Sequence, residues 1–130
     1  MFGINISLKK SFQEIDSSLE FKVQAWLWLT VAILFEVGGT TFLKISYGLT
    51  KLIPSILTLT FYMLSFITLA FTLKRLEVSM AYAVWSGVGT ALIAFIGIAY
   101  FGESFSLWKI ISIVLIIAGV VGLNLARSIN

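Results

Sequence analysis

Four long apolar stretches follow one another after residue 24, separated by short polar links. They are 25–43 (AWLWLTVAILFEVGGTTFL), 53–73 (IPSILTLTFYMLSFITLAFTL), 78–101 (VSMAYAVWSGVGTALIAFIGIAYF) and 107–126 (LWKIISIVLIIAGVVGLNLA). About 20 residues at 1.5 Å each carry a helix across a hydrocarbon core of roughly 30 Å, so every stretch is long enough to span. Lipid cannot satisfy an open backbone, so each stretch is expected to be helical. Trp26, Trp28, Tyr47, Tyr100 and Trp108 lie near the ends, where aromatic belts form. Pro54 opens the second stretch, where its missing N–H costs little.

The links, 44–52, 74–77 and 102–106, are too short for anything but antiparallel neighbours. The pattern predicts an all-α integral membrane protein with four transmembrane helices, multi-pass in the cytoplasmic (inner) membrane. Residues 1–24 are polar and mixed in charge (Lys9, Lys10, Glu14, Asp16, Glu20, Lys22) and read as a short amphipathic or disordered lead-in to a transmembrane domain at 25–128. They lack the apolar run of a cleavable signal.

Composition agrees. Hydrophobic residues make up 59% of the 130 and charged residues 12%. A soluble domain sits near half apolar and a quarter charged, and so short a chain cannot hide the excess in a core. The net charge of +3 comes from lysines and arginines scattered at segment ends, which suits interfacial anchoring and not a nucleic-acid partner. Lys22, Lys74, Arg75 and Arg127 fall on one side and Lys44, Lys51 and Lys109 on the other, a weak bias for setting orientation. With no Cys and no His, thiolate chemistry and the commonest metal ligand are missing, and no metal or other cofactor is expected. No glycine-rich phosphate cradle with its Lys is present, so neither ATP hydrolysis nor other enzymatic activity is expected.

Glu36 is the only charged residue well inside any stretch. An ionisable group at that depth is costly, and its default reading is a functional site; the alternative is a protonated Glu joining two helices. Ala32, Glu36, Gly39, Thr40 and Leu43 share its face at three- and four-residue spacing. The small residues there leave room for a ligand or for a close-packed helix. The second stretch presents Tyr62, Ser65, Phe66 and Leu69 along one face, and the third presents Tyr82 and Trp85. Aromatic rings near a carboxylate suit an organic cation: the acid supplies charge, the rings cation–π attraction. Gly87 and Gly89 mark either a hinge in the third helix or close packing. Gly119 and Gly122 make a small-residue patch suited to helix pairing. Glu77, Glu103, Lys74 and Arg75 read as solvated link charges.

In order, AILFEVGGTTFLKIS, GLTKLIPS, YMLSF, AYAVWSGVG and FGESFS resemble the small multidrug resistance (SMR) family, in its EmrE-like multidrug, quaternary ammonium branch. The resemblance covers residues 25–128. It implies antiparallel dimers of four-helix subunits that export organic cations in exchange for protons. It implies Glu36 from both subunits as the shared proton and substrate site. It implies a pocket of Tyr62, Phe66, Tyr82 and Trp85, with Ala32, Ile33, Gly39, Thr40, Ser65 and Leu69 nearby. The fourth helices would pair outside that pocket through Ser112, Gly119, Val120 and Gly122. Ser112 stands where the pairing motif usually begins with Gly, and the lead-in is longer than is typical. The guanidinium-exporting branch tends to carry Gly three residues before the Glu and Trp three after it; here those positions are Ile33 and Gly39. A heteromeric polyamine-exporting branch leaves the choice of homodimer open. A rival of another class is a non-transporting accessory subunit of a small lipid-flipping pair, which would not need a membrane carboxylate facing aromatic rings.

Overall fold

The computed structural model describes residues 2–129 as four α-helices: α1 (Phe2–Ile45), α2 (Leu52–Leu73), α3 (Val78–Ala99) and α4 (Leu107–Ile129). All four are long and apolar enough to cross a membrane. The chain is an all-α, multi-pass membrane protein. The starts of α2, α3 and α4 fall within one residue of the apolar boundaries.

The start of α1 does not. Its 44 residues run unbroken from Phe2 through the polar segment into the first span. Residues 2–24 contain no proline and a single glycine, Gly3, so nothing stops a helix from propagating outward from the apolar span. At 1.5 Å per residue α1 is roughly 66 Å long, about twice a hydrocarbon core. Every side chain from Phe2 to Gln24 is exposed. At the root of this extension the Arg75 guanidinium donates to Gln24 Oε1 at 2.6 Å and lies 4.5 Å from the Phe21 ring centre.

The α1–α2 link is a tight left-handed turn organised by Ser46. Its Oγ donates to Leu43 O at 2.7 Å and accepts from Leu49 N at 3.0 Å. Gly48 has φ +70°, and Tyr47 and Leu49 have φ +51° and +66°. Only glycine takes that conformation without a steric cost, so the buried Ser46 bonds hold two residues in a region they disfavour.

The bundle is centred on α1, which packs most extensively on α2 and also on α3. The buried core is made of Ala25, Leu29, Ala32, Ile33, Val37, Leu69, Leu76 and Ala81. Its small residues let the backbones approach, as membrane helix packing requires. Buried hydroxyls mostly bond back along their own helix: Thr58 to Pro54 O, Thr68 to Leu64 O and Thr72 to Thr68 O. Ser65 instead crosses to Ala32 O on α1 at 2.7 Å. Among the described residues, α4 packs on α3 alone of the helices and contributes no buried residue. Its outer face is left to lipid or to another chain.

Candidate functional site

Glu36 sits half-buried on α1 between α2 and α3. One turn on, the Thr40 hydroxyl donates to Glu36 Oε1 at 3.0 Å. Thr40 Oγ1 also lies 3.0 Å from the Tyr62 hydroxyl on α2. A threonine hydroxyl has one proton, and here it is directed to the carboxylate, so Tyr62 donates to Thr40. The result is a relay, Tyr62 to Thr40 to Glu36, that fixes one carboxylate oxygen.

The other oxygen is accommodated by a missing side chain. A Cβ on Gly89 of α3 would stand 2.9 Å from Glu36 Oε2. The same device seats the α2 aromatics: a Cβ on Gly39 would meet Tyr62 Cδ1 at 2.8 Å, and one on Gly38 would meet Phe61 Cδ1 at 2.6 Å. These three glycines let α2 and α3 close on α1 around the acid.

Among the described residues Glu36 has no basic partner. The ion pairs among the described residues, Lys44–Glu103, Lys109–Glu103 and Arg127–Glu77, all lie at the helix ends. The charges in the links are therefore tied to neighbours, although they stay largely exposed.

Beside the carboxylate opens a groove of about 280 Å³ lined by Glu36, Thr40, Trp85, Ser86, Gly89, Thr90 and Ile93. Trp85 is central to its aromatic edge. Its ring centre lies 5.4 Å from Tyr82 and 6.2 Å from Phe66. Tyr82 and Phe66 are themselves largely exposed. The Trp85 indole N–H is buried and has no acceptor among the described residues. A buried donor left unpaired costs on the order of 1–3 kcal/mol.

Of the residues expected around Glu36, the structure brings Thr40 to it directly, Tyr62 through Thr40 and Trp85 into the same groove, with Gly39 beneath Tyr62. Phe66 and Tyr82 reach it through Trp85. Ala32, Ile33, Ser65 and Leu69 sit instead in the helix core, where Ser65 holds Ala32 O. The side chain of Ser65 is committed to that bond and is 1% exposed, so it does not line the groove.

The expected hinge pair separates into two packing sites. Gly89 accommodates Glu36. Gly87 faces α4, where a Cβ would meet Val120 Cγ2 at 2.9 Å and Ile116 Cγ2 at 3.4 Å. α3 continues as a helix through both. Val120, expected with the pairing surface, therefore packs inside its own chain. Ser112, Gly119 and Gly122 are exposed, and a Cβ on either glycine would meet nothing within 4 Å.

Ser86, Thr90 and Ile93 were not foreseen. Continuing the Trp85 face by four and eight residues reaches Gly89 and Ile93, and Ser86 and Thr90 border that strip. Gly38 and Phe61 were also missed, because the clash a glycine avoids depends on a second helix.

The family model described as Small Multidrug Resistance protein matches residues 24–116. The chain is 55% identical over 104 residues to the uncharacterized membrane protein YvaE of Bacillus subtilis, covering 80% of this chain and 87% of that one. It is 45% identical over 102 residues to the multidrug resistance protein EbrB of the same organism, covering 78% and 87%. It is 46% identical over 102 residues to a guanidinium exporter of Yersinia pestis, covering 78% and 98%. Four spanning helices, a membrane carboxylate without a basic partner and these matches lead to one conclusion: the chain belongs to the Small Multidrug Resistance family.

Proposed function

We propose that this protein is a proton-coupled antiporter that exports hydrophobic, often aromatic or quaternary ammonium, cations. The observation that carries the reading is Glu36: an acid at membrane depth, positioned by Thr40 and Tyr62, without a Lys or Arg in ion-pair range, and open to a groove edged by Trp85. A carboxylate in that setting is costly when charged and alone. A proton or an organic cation neutralises it, and the two compete for the same oxygens. Ionised, Glu36 holds the cation against Trp85 by charge and cation–π attraction. Protonated, it releases it. Exchange of one for the other couples export to a proton gradient with no cofactor.

Two copies of the chain form the working unit. The groove of one chain is smaller than most drug-sized ligand sites, which run from about 300 to 1,000 Å³, and Phe66 and Tyr82 are exposed beside it. A second copy placing its own Glu36 and aromatics opposite would complete the pocket. The exposed strip of Ser112, Gly119 and Gly122 on α4 is the surface proposed to join the copies, in opposite orientations. The unpaired Trp85 N–H fits an acceptor arriving with the substrate or the second chain.

Export of guanidinium is favoured by the relatives named guanidinium exporters, from Yersinia and Proteus, and opposed by Ile33 and Gly39 in the flanking positions. Flux in liposomes holding only this protein tests the proposal. Under an outward proton gradient, with an acidic liposome interior, an aromatic quaternary cation is expected to accumulate inside with the native chain and not with Glu36→Gln. Guanidinium moving faster than the aromatic cation would select the second reading. Absence of flux without a further partner protein would select an accessory subunit.

A further inference from the structure

A threonine hydroxyl in a helix commonly donates to the carbonyl one turn back. Thr30, Thr41, Thr58, Thr60, Thr68 and Thr72 all do so here, at 2.7–3.2 Å. Thr40 is spent on Glu36, and Thr50 closes the turn after α1. Among the described residues, Thr90 alone of the nine threonines has a hydroxyl with no hydrogen-bond partner. It is also the threonine that lines the groove on the α3 side, facing the same space as Glu36. One turn before it, Ser86 Oγ makes a single long bond to Ala83 O at 3.3 Å, which leaves its lone pairs free to accept.

We propose that Thr90 is a specificity-determining residue that favours cations whose head group carries N–H donors, guanidinyl or primary ammonium, over quaternary ammonium of the same bulk. The inference rests on the cation-binding reading of the Glu36 groove. Charge and rings attract any organic cation, so Glu36 and Trp85 discriminate little by head-group type. Hydrogen bonding does discriminate. Oε1 of Glu36 already accepts from Thr40, while Oε2 borders Gly89 and can take a second donor. A guanidinyl or primary ammonium head can give one N–H to Oε2 and another to the Thr90 hydroxyl, whose two lone pairs are unused. A quaternary head has no N–H to give, and leaves that hydroxyl solvated or unpaired. A site that hydrogen-bonds one ligand rejects the analogue that cannot.

The test uses the full chain in detergent and two probes of equal charge and similar size, phenylguanidinium and phenyltrimethylammonium, with affinities from calorimetry. Selectivity is read as the ratio of the two. Thr90→Val keeps the branched shape and removes the hydroxyl; it is expected to lower the ratio of phenylguanidinium to phenyltrimethylammonium affinity about tenfold from its native value, whatever that value is, the scale of one hydrogen bond to a charged group. Thr90→Ser is expected to restore it, and Thr90→Ala to repeat the loss if Val perturbs the helix. A ratio that stays at the native value in helical Val and Ala variants overturns the role of Thr90 and leaves the cation site standing. Native protein that binds neither probe, or Glu36→Gln that binds both as the native chain does, overturns the cation site and the inference with it.

Discussion

At the scale of single residues, Glu36 is the proposed centre of the chemistry because three neighbours specify its geometry and, among the described residues, no basic group pairs with it. If a proton and a cation compete for it, affinity for the cation rises with pH and then levels off once the acid is ionised. Glu36→Gln keeps the shape and loses the charge, so binding is expected to become weak and flat with pH. Glu36→Asp keeps the charge but retracts it by one methylene from Thr40, so it is expected to bind with a displaced pH profile. Titration of substrate binding against pH for the three forms checks this. A Gln variant with native pH dependence would refute the mechanism, since no other acid lies at that depth. Trp85 carries a separate expectation. Its replacement by Ala should weaken aromatic cations by roughly 0.5–2 kcal/mol, the usual cation–π range. Equal affinity in a folded Trp85→Ala protein would assign the ring to packing.

At the scale of helices, glycine placement decides how α2 and α3 meet α1. Gly39 and Gly38 stand under Tyr62 and Phe61, and Gly38 has the tighter contact, 2.6 Å against 2.8 Å. Overpacking of this kind typically costs about 1–3 kcal/mol. Both Gly38→Ala and Gly39→Ala are therefore expected to lower stability. Only Gly39→Ala displaces the ring whose hydroxyl supports Thr40 and Glu36. Cation binding should fall more in Gly39→Ala than in Gly38→Ala, opposite to the order of steric crowding. Measuring thermal stability and affinity for both variants separates the effects, and matching orders would remove Tyr62 from the site. On α4, Val120 and the two exposed glycines face different ways. Gly119→Leu adds bulk where nothing in the chain touches it, so the monomer fold is expected to persist while pairing in detergent is lost. Light scattering reads the mass of the particle, and an unaltered dimer would place the joining surface elsewhere.

At the scale of the whole molecule, orientation in the membrane remains the property on which pairing depends. The positive charges at the ends of the apolar spans divide four against three between the two faces, six against three with Lys9 and Lys10 counted, a weak bias that motivates two copies inserted in opposite directions. The chain has no Cys, so a single Cys placed in the 102–106 link is an unambiguous reporter. An impermeant reagent is expected to label it from both sides of the membrane. Labelling from one side alone would exclude the antiparallel homodimer.

What was legible from the sequence by itself were the four spans, the membrane class and Glu36, because each follows from local composition: apolar length against bilayer thickness, and the rarity of a charge at that depth. The joining of the polar lead-in to α1 was not legible, since a helix that begins from an apolar span continues outward until a breaker stops it, and none occurs between Phe2 and Gln24. Helical spacing correctly put Thr40 and Gly39 on the face of Glu36, yet could not separate groove from core. Ser65 shares a face with Tyr62 and turns to Ala32 O, while Ser86, inside the AYAVWSGVG motif but given no role there, and Thr90, just beyond it, border the acid. Gly87 and Gly89 look alike in the chain and differ only by what approaches them, Val120 in one case and the carboxylate in the other. Those assignments belong to the tertiary structure, because a residue's role at a helix contact is set by atoms dozens of positions away.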